Sequence, residues 1–80
     1  MRIDKYLKVT RLIKRRTVAK EACDQGRILV NGKAAKPGTE LKIGDKVELN
    51  FGASGVKIEV VELKEHVLKD DATNLYRIIN

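Results

Sequence analysis

Apolar and polar positions change rhythm near the middle of the chain. Over the first segment Ile3, Tyr6, Leu7, Thr10 and Ile13 recur every three or four residues, which puts them on one stripe of an α-helix. Lys5, Lys8 and Arg11 step along another side, so this helix is amphipathic with a cationic outer face. It should fray or end around Arg11–Lys14, where cations crowd. Thr17 then offers an N-cap hydroxyl for a second helix. Val18, Ala19, Ala22 and Cys23 make that helix's apolar side, small enough for close approach to a neighbour, and Gly26 suits the position just past its end.

From Arg27 the period shortens to two. Arg27–Val30 reads as a strand, and Asn31-Gly32 is a strong hairpin signal, because both turn positions want positive φ. Lys33–Lys36 should return as a strand before Pro37-Gly38 breaks the chain. Gly44-Asp45 forms a turn, Lys46–Leu49 alternates as a strand, and Phe51 with Gly52–Gly55 reads as a loop. Val56–Val60 alternates again as the longest strand, extending toward Leu63. Asp71 is placed to cap one helical turn, and Tyr76–Ile79 to close as an edge strand. The expectation is an α+β fold: two short N-terminal helices packed on a small, mostly antiparallel sheet. One domain spans 1–80, with a core motif over about 1–50 and a strand-rich part over 51–80.

Composition narrows the classes. A chain of 80 residues buries only about 60% of its unfolded surface, so the core is thin. No apolar run approaches the roughly 18 residues of a membrane span, and the segment from Arg2 and Lys5 onward is charged with no apolar signal-peptide core behind it, so a secretion signal is not expected. The single cysteine cannot form an internal disulfide, which points to a reducing cytoplasm. The formal charge of +6 is unevenly held. Residues 1–36 carry 11 lysines and arginines against 3 acids, a balance of +8; residues 37–80 carry 6 against 8, a balance of −2. One positive face, set by the N-terminal half, is therefore expected, with an anionic partner.

The order of elements resembles a known family. Arg2-Ile3-Asp4, a short helix, a basic turn, a second helix ending in Gly26, then Ile28-Leu29-Val30-Asn31-Gly32-Lys33 resemble the S-four RNA-binding domain, also called the αL motif. Ile43-Gly44-Asp45-Lys46-Val47 is similar to the segment that closes that motif, with Ile43 where Pro is common. The resemblance covers about residues 1–50. More narrowly, Arg11–Lys20 and the Asn74-Leu75-Tyr76 tail are similar to a small bacterial subfamily called RqcP (YabO), itself similar to a ribosome-binding heat-shock protein that carries this domain. The heat-shock protein's long basic extension is not seen here, which favours the first. The resemblance implies a factor of ribosome-associated quality control that binds large-subunit rRNA and peptidyl-tRNA on a stalled subunit. It further implies support for a protein partner that adds C-terminal alanine tails. A heat-shock-type large-subunit recycling factor is the alternative within the family.

The best binding candidate is the turn Lys14-Arg15-Arg16-Thr17, where three cations precede a helix N-terminus with free N–H groups. Arg2, Lys5 and Lys8 on helix 1, Arg11 at its end, Lys20 on helix 2 and Lys33 after the hairpin extend the patch. Asp4 is the odd acid there, expected to cap the helix start and orient Arg2 rather than touch RNA. Tyr6, Phe51 and Tyr76 are the only aromatics, so phosphate and shape recognition is expected over base stacking. Cys23 reads as buried and inert, and His66 as a surface residue. No catalytic set, P-loop or metal-ligand spacing occurs, so a non-enzyme without cofactor, acting as a monomer, is expected. Two other classes compete. Two short helices joined by a turn also suit a DNA-binding helix-turn-helix, although Glu21 and Asp24 face outward on helix 2. An adaptor docking through Glu48, Glu59 and Glu62 is the other.

Overall fold

The computed structural model describes residues 1–79. Helix α1 spans Ile3–Val9 and α2 spans Arg16–Asp24. Five strands follow: β1 Ile28–Val30, β2 Lys33–Ala34, β3 Lys46–Phe51, β4 Ser54–Val60 and β5 Tyr76–Ile78. A 3₁₀ helix, Lys69–Leu75, precedes β5. The sheet is antiparallel throughout, in the order β2-β1-β3-β4-β5. The helices-then-sheet architecture expected from the change of period is the one observed.

Register follows from alternation. Ile28 faces Leu49, Val30 faces Val47, and Val47 faces Ile58, which aligns one apolar face across three strands. Ile3, Tyr6, Leu7, Ala19, Ala22 and Cys23 pack on that face, with Ile28, Val47, Ile58 and Val60 beneath them. Thr10 and Ile13 also lie buried, although α1 has ended at Val9. The Thr10 hydroxyl donates to the Tyr6 carbonyl (2.8 Å), and Arg11 takes a left-handed φ of 62° that turns the chain toward α2. A non-glycine residue there costs on the order of 1 kcal/mol.

The two turn motifs read from the sequence hold each other. Asn31 (φ 52°) and Gly32 (φ 84°) adopt the positive φ values of a primed hairpin turn. The Asn31 side chain then donates to Asp45 (3.1 Å) and accepts from the Lys46 N–H (2.9 Å), which pins the Gly44-Asp45 turn against it. At the other end of the chain the Tyr6 hydroxyl, buried inside α1, donates to the Leu75 carbonyl (2.7 Å). That carbonyl also accepts from the Val61 and Glu62 N–H groups, so helix, sheet and the start of β5 meet at one oxygen.

Several local expectations are corrected. Thr17 is not the N-cap of α2: Arg15 holds that position with no side-chain cap, and Thr17 lies exposed in the first turn. Val18 is 43% exposed rather than on the buried side, because the stripe that meets α1 is Ala19, Ala22 and Cys23. The loop expected over Gly52–Gly55 is a two-residue turn, with Ser54 and Gly55 already paired to Phe51 and Asn50. The long strand stops at Val60, short of Leu63. Asp71 sits within the 3₁₀ helix, whose N-cap is Leu68. The edge strand at the C-terminal end is present as Tyr76–Ile78.

Candidate nucleic-acid interface

The first residues are fastened before α1 begins. The Ile3 N–H donates to the Thr39 carbonyl (2.8 Å), the Leu41 N–H to the Met1 carbonyl (2.9 Å), and Arg2 bridges to Glu40. Arg2 is thereby held in extended backbone at the N-cap of α1, its guanidinium lying over Gly38, where an added Cβ would touch Nε at 3.8 Å. Below it sits Asp4, a carboxylate with 0% exposure.

Asp4 is the centre of the arrangement. Its Oδ2 accepts from an Arg2 terminal nitrogen (3.3 Å) and lies 3.2 Å from Arg16 Nε, without the alignment of a hydrogen bond. Its Oδ1 accepts from the Lys5 N–H (2.8 Å) and from the second Arg16 contact (3.4 Å). The expected roles of Asp4 are both present: it orients Arg2 and satisfies the Lys5 N–H in the first turn of α1, although the N-cap residue itself is Arg2. What sequence reasoning missed is the contact of Arg16 with Asp4. Twelve residues separate the two, and only the packing of α1 on α2 brings them together. The signal available was a lone acid inside a basic stripe.

The result is a pair of guanidinium groups, each nearly half-exposed, locked at the starts of two helices over one buried carboxylate. The N-terminus of α2 carries no acid in its first turn and no side-chain cap, and it is flanked by exposed Lys14 and Arg15. The N-cap leaves the first N–H groups of α2 without a side-chain partner, and both guanidinium groups, although Arg16 Nε is buried, stay partly exposed beside that positive helix end. Such donors are chemically suited to an oxyanion such as phosphate.

The other candidate residues divide. Lys5 is half-buried and ion-paired with Glu65, which holds that carboxyl below its ordinary range. Lys8, Arg11 and Lys14 form a second cationic group, along a cleft also lined by Glu65, His66, Val67 and Lys69. Lys20 lies exposed one turn beyond Arg16 on α2 and continues the first group. Lys33 lies on edge strand β2, beyond β1, and joins neither group.

The acids suggested as an adaptor face are matched where they stand. Glu48 pairs with Lys57 (3.3 Å), Glu62 with Lys64 (3.5 Å), and Glu59 with Arg77 directly opposite on β5. The Arg77 hydrogen bond lowers the Glu59 pKa. Burial, then the charges of Asp4 and Asp24, push the Cys23 thiol up to about 11, so the thiol is protonated and inert near neutral pH. Among the described residues no cluster of His, Cys, Asp and Glu could hold a metal, and no helix is long and apolar enough to cross a membrane.

Comparison with known proteins adds to this geometry. Residues 1–47 match the S4 domain family. The chain is 55% identical over 80 residues to the RQC P-site tRNA stabilizing factor of Streptococcus pneumoniae, covering 100% of this chain and 91% of that protein. It is 52% identical over 79 residues to the protein of the same name from Bacillus subtilis, covering 99% and 92%. Its fold is similar to that of heat shock protein 15 from Vibrio cholerae, described as trimeric, with a TM-score of 0.91 at 29% identity over 99% of this chain and 81% of the other.

Proposed function

This chain belongs to the S4 domain family, in the branch of the RQC P-site tRNA stabilizing factors, and from that premise we propose that it acts by binding structured RNA on the ribosome. The RNA would be the rRNA of the large subunit together with the peptidyl-tRNA of a stalled complex, as the relatives' names suggest for P-site tRNA. In this reading the protein is a cytoplasmic, monomeric, non-catalytic clamp. It supports the partner that extends stalled chains with alanine, and needs no cofactor.

One observation carries the reading: buried Asp4 fixes Arg2 and Arg16 side by side next to the uncapped start of α2. Guanidinium groups held in place before binding lose little freedom when a phosphate arrives. Lys14, Arg15, Thr17 and Lys20 flank that pair, while Lys5, Lys8 and Arg11 run along α1 and its turn. Lys33 is proposed as a peripheral contact. With about six phosphates neutralised, log K should fall with log salt at a slope on the order of −4 to −5. Filter-binding titrations on a ribosomal stem-loop test this, and a slope near zero would remove the phosphate clamp. Absence of the protein from large-subunit fractions under stalling conditions would remove the ribosomal role.

A further inference from the structure

A cleft of about 550 Å³ opens between the turn after α1 and the segment ahead of the 3₁₀ helix. Its size falls in the range of small-ligand sites. One wall presents Lys8, Arg11 and Lys14; the other presents Lys69 and the His66 ring. Half-buried Val9 and Val67 contribute apolar surface between them. The acid at the cleft, Glu65, is engaged by Lys5, so the open cations there are not matched by a free carboxylate in the lining. The second wall lies outside residues 1–47, and a charge run read along the sequence did not connect His66 with Arg11.

A phosphate of a continuous duplex needs only cations at the surface. This cleft adds depth, apolar side chains and a ring, which are what a base extruded from a stem requires. We propose that the cleft holds one unpaired nucleotide of the bound RNA, with its phosphate among Lys8, Arg11, Lys14 and Lys69 and its base against Val9, Val67 and the His66 ring. The proposal rests on the RNA-binding reading above and deepens it. Recognition would then combine a phosphate clamp at the arginine pair with readout of a bulge or loop nucleotide at the cleft.

The test uses the full chain and two RNA hairpins with the same stem, one fully paired and one with a single bulged adenosine, beside 5′-AMP alone. The wild type should prefer the bulged hairpin by about tenfold, the scale of one base–ring contact. His66→Ala should abolish that preference, His66→Phe should retain it, and both should leave affinity for the paired hairpin unchanged. Equal affinity of the wild type for both hairpins, a preference that survives His66→Ala, or one lost in His66→Phe overturns the cleft assignment while leaving the clamp intact. AMP bound as tightly as the bulged hairpin overturns it in favour of a free-nucleotide site. Loss of salt-dependent binding to both hairpins is the distinct failure of the RNA-binding reading itself.

Discussion

Asp4→Asn separates two accounts of the basic face. Asparagine preserves the shape of the side chain and an acceptor for the Lys5 N–H, but replaces the Oδ2 that faces Arg2 and Arg16 with an uncharged NH2 that cannot accept from them. Hydrogen bonds to charged groups contribute about 1.5–3 kcal/mol. The two arginines are nearly half-exposed, so solvent screening puts the loss toward the lower end, ~2 kcal/mol. A chain of 80 residues is stable by roughly 4–12 kcal/mol, so the variant stays folded. Its melting temperature should fall by about 8–16 °C. Binding is the sharper readout. The variant gains one positive charge, so simple Coulomb attraction predicts tighter binding to RNA. Preorganisation predicts the reverse, because two guanidinium groups must now be ordered at about 0.5–1.5 kcal/mol each. We expect affinity for a ribosomal stem-loop to drop about tenfold at fixed salt, measured by fluorescence anisotropy below the melting transition. Equal or tighter binding by the folded variant would refute the claim that Asp4 works by positioning the arginines.

Three further outcomes follow from other residues. Arg11→Gly relieves the left-handed strain at φ 62° and should raise stability by about 0.5–1 kcal/mol in urea titrations, while making the salt slope shallower by about 1. Tyr6→Phe removes one of three donors to the Leu75 carbonyl, which keeps its two backbone partners, so the cost should be about 0.5–1.5 kcal/mol by thermal denaturation. The Cys23 thiol, raised from 9.0 to about 11, stays neutral in the folded chain after it ionises in the unfolded one. Its contribution is therefore complete below pH 9 and drains away between about pH 9 and 11. Cys23→Ala should flatten the stability–pH curve over that window, and alkylation of the native thiol at pH 7.5 should be far slower than in urea.

The fold was legible wherever one face of an element is buried and the other is wet. Val47, Leu49, Ile58 and Val60 alternate with Glu48, Lys57 and Glu59, so both strands could be read from the chain, while their pairing came only with the structure. Asn31-Gly32 announced its hairpin through the positive φ that few residue pairs tolerate. Helix starts were less legible. Thr17 looked like a cap because a hydroxyl is the usual device, yet the helix begins two residues earlier than that cap would set it and leaves its first N–H groups without a side-chain partner. Leaving them open costs stability and suits an anion, so local propensity and site geometry pull in different directions here. The Gly52–Gly55 segment misled for another reason: glycines and a serine read as a loop, while a tight turn needs only Gly52 at φ 63°. Within the candidate interface, the cations were visible as a run but their grouping was not. Contacts between Asp4 and Arg16, or between Lys5 and Glu65, depend on tertiary packing that no local period encodes.

The shared Leu75 carbonyl has a consequence for how the molecule comes into being. It joins residues 69 positions apart, and the Lys5–Glu65 pair closes another loop of 60. Closing loops of that length is slow compared with forming α1 or the hairpins, and its entropy is recovered only when the last strand docks. Helix α1, made first, therefore acquires its final anchoring only after residues near 75 have left the site of synthesis. A partly made chain could hold the Asp4–Arg16 contact, both members lying in the first segment, but would lack the wall that completes the cleft. In the proposed RNA-binding reading, both binding elements are therefore complete only once residues near 75 have been made and have docked on α1.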